Sequence, residues 1–240
     1  MSKVATAKQT GGGGTSYEDK VIAYFLACML SETLLLTTSF GLIKKISFQV
    51  RPDGWLFDDL LLTLNGALNE HRIGTAIRSN RQFNSNGCPK EFNQLLWQQY
   101  LHHETDIFNK DTDALCIVEA PISPAVATDL NRLLKQATYQ DSLTLHQHVL
   151  TDKSYSKAAQ NIYKSFYCPK DLAVFYNVKE EDTGNILKCF LQQEMDFEKM
   201  SSRDETRAIE LCRTVLKIKI KKMRKNFLIR YAFCQEKFHQ

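Results

Sequence analysis

Two adjacent carboxylates, Asp58 and Asp59, sit near the start of an apolar run, Trp55-Leu56-Phe57 to Leu64, and the next apolar run ends in Ala76-Ile77-Arg78. Acids at the start of one strand and a polar-x-lysine triplet on its hairpin partner can converge where the two strands meet. There they hold a divalent ion beside a phosphodiester, and the ion activates water and neutralises the charge that develops. Here the triplet is Ala-Ile-Arg. Either Arg78 substitutes for the lysine and hydrolysis survives, or the chain keeps such a fold without its full chemistry.

Placing these residues requires a hairpin, and the sequence supplies one. Strands are expected over residues 43–50, 55–64 and 72–79, the first two joined by Arg51-Pro52-Asp53-Gly54, where Pro presets φ and Gly accepts a positive value. Before them, Thr15 or Ser16 caps a helix beginning near Tyr17, with Glu18 and Asp19 in its first turn, where the helix dipole favours carboxylates. Its run Val21 to Leu30 is apolar on every face and predicts a helix buried all round. Glu18 shares a stripe with Ile22, Phe25 and Met29, so it is read either as a capping carboxylate or as an acid aimed at the strand-borne pair. A helix from Asn86-Gly87 and Pro89 to residue 103 follows, then a wholly apolar strand, Ala114 to Val118, which suits an interior position. Beyond Pro124, helices are expected at 124–138, 141–167 and 184–235, with one doubtful strand at 172–178, so the sheet is confined to the first half.

The organisation expected is a flexible leader, 1–16, an α/β core, 17–138, and a helical extension, 139–240. The leader's glycines are not a phosphate loop, because no lysine follows them at the required place. With 43% hydrophobic residues the chain can bury a core, and a net charge of +4 permits nucleic acid binding without demanding it. Seven cysteines without a CxxC pair read as reduced thiols, and the longest apolar run is too short to cross a bilayer, so a cytoplasmic location is expected.

The order helix, three strands, helix, strand, with acids in the second strand and an x-x-Arg/Lys triplet in the third, is that of the PD-(D/E)xK restriction-endonuclease-like fold. More specifically, GGGGTSYEDKVIAYFLACML, WLFDDLLLTL, AIRSNRQF and CPKEFNQLLWQQYL resemble the double-stranded DNA endonuclease effector domains fused to antiphage STAND NTPases (Avs type) and found in CBASS effectors. The resemblance spans residues 11–138. It implies an α/β restriction-endonuclease-like core with a helical C-terminal extension, cleaving double-stranded DNA with Mg²⁺ or Mn²⁺ once copies assemble into a homo-oligomer. It also implies a downstream NTPase or sensor domain. Carried over by position, Asp59 is the principal metal ligand with Asp58 as the fallback, Ile77 offers its carbonyl, Glu18 supports the site, and Arg78 and Ala76 occupy the lysine and polar positions. Mg²⁺ tolerates so sparse a set because it keeps several waters. Arginine clamps phosphate but is no base.

Asn80, Arg81, Gln82 and Lys90 are expected to meet DNA phosphates, which supply most nucleic acid affinity. The run Arg213, Lys217, Lys219, Lys221, Lys222, Arg224 and Lys225 forms a basic amphipathic helix suited to DNA, an acidic partner or a neighbouring domain. His102-His103-Glu104 and His146-x-His148 lack zinc spacing, since ligands one or two apart on a helix diverge. Two rival readings are a catalytically degenerate fold that holds DNA uncut, and an assembly module acting through its helices.

Overall fold

The computed structural model describes residues 12–34, 41–66, 69–102, 107–197, 202–217 and 219. Leucines alternating at 60, 62 and 64 and isoleucines at 73 and 77 place one apolar face on each of two paired strands. A one-residue slip would turn that whole set to the opposite face, which is why the register is well specified. The strands β1 (Leu42–Phe48), β2 (Leu60–Asn65) and β3 (Glu70–Arg78) form an antiparallel meander. Two further strands, β4 (Ala114–Glu119) and β5 (Phe190–Glu194), add in parallel to give the order β1-β2-β3-β4-β5 in a mixed α/β architecture. Every residue of β4 is buried, as its unbroken apolar run requires.

Helices cover both faces of this sheet. On one, α1 (Gly12–Leu30) presses Tyr17, Val21, Phe25 and Cys28 against β2, β3 and β4. A C-terminal helix over 203–217 packs there through Ala208 and Leu211, and Lys20 of α1 pairs with its Glu205 at 3.6 Å. The other face carries α2 (Lys90–Leu101), α3 (Pro124–Tyr139), α4 (Ser142–Thr151), α5 (Lys157–Ser165), α6 (Lys170–Tyr176) and α7 (Thr183–Lys188). Polar groups lock distant segments together. Trp97 Nε1 donates to the Phe166 carbonyl at 2.8 Å, and the buried Gln99 carboxamide accepts from Leu56 N at 2.5 Å and donates to the Gly54 carbonyl at 3.3 Å. Gly54 closes the expected turn with φ of 87°.

Several expectations change. Helix α1 begins at Gly12, so neither Thr15 nor Ser16 caps it, and Glu18 and Asp19 lie beyond its first turn. It is buried on one side only; Ala23 and Leu30 are exposed. Asp58 and Asp59 precede β2 rather than lying inside it. The helix expected over 141–167 breaks at Asp152, and new caps appear: Asp141 accepts from Thr144 N and Ser156 from Ala159 N. Residues 172–176 are helix, not strand: Pro169 caps the start of α6, Asn177 ends it in the left-handed region, and no sheet edge receives the segment. The sheet is not confined to the first half, because Phe190–Glu194 pairs with β4 inside the stretch expected to be helical. Pairing partners outweigh local preference there. Residues 1–11 of the expected leader, together with Lys221, Lys222, Arg224 and Lys225, lie outside the described residues.

Candidate functional sites

Strands β3 and β4 run parallel, and β2 runs opposite to β3, so the start of β2 and the ends of β3 and β4 share one edge. That edge gathers Asp59, Arg78 and Glu119, with Arg78 and Glu119 in register. Carboxyl ends of parallel strands are where open α/β sheets hold ligands. Asp59 Oδ2 accepts from Ile77 N at 2.6 Å and from Arg78 Nη1 at 2.8 Å, and the same Nη1 donates to the Ile77 carbonyl at 2.7 Å. Glu18 on α1 senses this pair. Burial pushes its carboxyl above the usual range, the Asp59 and Asp19 charges push it further, and the Arg78 charge partly offsets them.

The structure brings Asp59 and Arg78 together, and both of their charges bear on Glu18 of α1. Asp58 pairs instead with Arg51 at 3.6 Å. The oxygens expected to hold Mg²⁺ or Mn²⁺, from Asp59 and Ile77, are both engaged by one guanidinium nitrogen, and Ala76 is buried with no side-chain ligand to give. Among the described residues no group of three or more His, Cys, Asp and Glu is placed to hold a metal. Asn80 and Arg81 stand exposed in the loop after β3, and the Gln82 backbone is tied to Glu119.

Glu119 was missed by the sequence reading. It ends a wholly buried strand with no exposed surface at all, and Oε2 accepts from Gln82 N at 2.5 Å and Phe83 N at 3.3 Å while Oε1 accepts from Gln192 Nε2 at 3.2 Å. Burial raises its carboxyl above the usual range; the three hydrogen bonds oppose that shift. The signal was present in Ala114-Leu-Cys-Ile-Val-Glu119: an acid closing an interior strand must find partners.

Lys90 belongs to a different site. It lines a cleft of about 880 Å³ between the loop that follows β3 and the α5–α6 connection, a cleft that Asn80, Arg81 and Gln82 do not line. Lys164 and Lys170 line it too, with the carboxamides of Asn84, Asn93 and Asn161, and none of the described lining residues is acidic. Asn93 is only 5% exposed; its Nδ2 donates to the Tyr167 carbonyl at 2.7 Å, which fixes the orientation of the amide. The wall at 84–88 docks on α5. Gly87, with φ of 91°, lies so close to Ser165 that a Cβ would collide with it, and Cys88 N donates to Ser165 Oγ at 2.7 Å. Lys164 and Lys170 were not singled out from sequence because nothing local connects them to Lys90.

No family model and no curated protein matches the chain. Solved structures similar to it include an Acinetobacter baumannii Cap4 SAVED/CARF-domain containing receptor with the cyclic trinucleotide 3′3′3′-cAAA, at 12% identity and a TM-score of 0.43 over 92% of this chain and 43% of that one. The same receptor with 2′3′3′-cAAA aligns at 11% identity and a TM-score of 0.44 over 97% and 42%. The chain thus spans less than half the length of the receptors it matches. Against the expectation of a metal-dependent endonuclease cleaving double-stranded DNA, the similar structures are named as SAVED/CARF-domain containing receptors. Among the described residues, no helix is long and apolar enough to cross a membrane.

Proposed function

We propose that this chain is a ligand-binding module whose lysine-lined cleft takes a small phosphate-bearing molecule. The observation that supports this reading is the charge of the lining: Lys90, Lys164 and Lys170 line the cleft, and no described lining residue is acidic. Lysines act on phosphate as point charges, and a cleft free of carboxylates leaves that attraction uncancelled. Its volume of about 880 Å³ suits a small-molecule site, and the carboxamides offer donors and acceptors to a ribose or a heterocycle. A nucleotide satisfies both requirements.

The scaffold beneath the cleft is, on this reading, a restriction-endonuclease-like core. The order α1, β1-β2-β3, α2, β4 supports that assignment. A place in an antiphage defence protein, in an oligomer and beside a downstream NTPase or sensor domain, belongs to the same proposal.

Isothermal titration of the full chain with ATP, AMP and a cyclic trinucleotide tests the reading, alongside Lys164→Glu. At least one ligand is expected to bind, with affinity that falls as salt rises and drops about tenfold or more in the variant. Absence of binding by all three ligands, or binding indifferent to Lys164→Glu, would refute it.

A further inference from the structure

We propose that Glu119 is the positioning residue of the lysine cleft, holding the wall that meets the ligand without touching the ligand itself; this inference rests on the cleft reading above. The wall comprises residues 84–89, in the loop between the end of β3 and the start of α2. It is fastened at two points. At its start, Glu119 Oε2 accepts from the N–H groups of Gln82 and Phe83, and at its end Ser165 Oγ accepts from Cys88 N at 2.7 Å. Between these anchors, Asn84 and Gly87 form an isolated antiparallel bridge, with Gly87 N donating to the Asn84 carbonyl at 2.8 Å. Asn84, Asn86, Gly87 and Cys88 all line the cleft, and Lys90 follows within the next turn.

An apolar side chain at 119 would fill the same interior without the penalty of desolvating a charge. The carboxylate's distinct contribution is its acceptance of two backbone N–H groups from a loop that no ladder of the sheet supports. Phe83 beside it is held in the core, its ring 5.9 Å from those of Phe166 and Phe190. Glu119 thus transmits the position of the central strand to the wall through backbone hydrogen bonds. Gln192 Nε2 fixes the other carboxylate oxygen and so the orientation of the whole group.

The test compares ATP binding by the full parent chain with Glu119→Gln and Glu119→Leu. Glutamine can still accept from Gln82 and Phe83 and is expected to bind ATP within about threefold of the parent, whereas leucine cannot accept and is expected to lose about tenfold while melting cooperatively. Faster amide hydrogen exchange at 84–88 in Glu119→Leu accompanies that loss. A folded Glu119→Leu chain with parental affinity overturns the proposal, as does a glutamine variant as weak as the leucine one. Should Glu119→Leu fail to fold, Glu119→Asp decides: it keeps the charge but draws the oxygens back by one methylene, so a loss of affinity supports the proposal and parental affinity overturns it. A parent chain that binds ATP with no contribution from Lys164 defeats the cleft reading itself, a result distinct from any outcome at position 119.

Discussion

Replacing Asp113 with alanine should destabilise the fold by about 3 to 4 kcal/mol. Asp113 sits just before β4, its side chain 1% exposed, with Arg72 Nη2 at 2.6 Å and Nε at 3.3 Å. It also accepts from the backbone N–H of Arg72 at 3.2 Å and of Asn109 at 2.8 Å. Removing one member of a buried pair costs about 3 to 5 kcal/mol because the other charge is stranded. Arg72 keeps part of its surface in water, lies 5.3 Å from the Trp55 ring centroid and has a further interaction besides Asp113, so the cost falls at the low end of that range. The Asn109 N–H adds about 1 kcal/mol when it loses its acceptor. Arg72→Ala leaves the carboxylate with its two backbone donors and should cost about 2 kcal/mol. The double variant should fall short of the summed losses by more than about 1 kcal/mol, since the two side chains share one interaction. Urea unfolding is the assay, read as a shift in midpoint at constant slope. An Asp113→Ala chain within about 1 kcal/mol of the parent would refute the claim that this pair fastens β3 to the start of β4.

Arg78→Met should change stability by less than about 1 kcal/mol, because the Arg78–Asp59 pair is partly solvated, yet it should raise the Glu18 titration midpoint further. Carboxyl chemical shifts followed by NMR against pH check this, and an unmoved Glu18 midpoint would contradict the placement of the three groups. The raised carboxyl of Glu119 carries a pH signature of its own. A folded-state pKa above the unfolded value contributes stability that is fully present below the ordinary glutamate range and is lost as pH rises through the folded value. Melting temperatures from about pH 4 to pH 8 should therefore fall less steeply with rising pH in Glu119→Gln than in the parent, and parallel curves would show that burial does not raise this group.

Local pattern alone was enough for the meander, the Gly54 turn and the interior β4, because alternation, turn chemistry and unbroken apolar runs are properties of neighbouring residues. It also brought Glu18, Asp59 and Arg78 under suspicion; Asp59 and Arg78 meet at one sheet edge, and both charges bear on Glu18. Tertiary structure alone decided what they do there: whether Asp58 or Asp59 faces Arg78, and that the guanidinium donates to Asp59 Oδ2 and the Ile77 carbonyl, both depend on how β2 and β3 dock. Strand β5 could not be read from Phe190-Leu-Gln-Gln-Glu194, since those residues become a strand only because β4 offers them an unpaired edge. The cleft is the clearest case. Lys90 and Lys164 are far apart in sequence and share no periodicity, and only the packing of the loop after β3 on α5, with Glu119 and Ser165 fastening its ends, turns separate surface charges into one site.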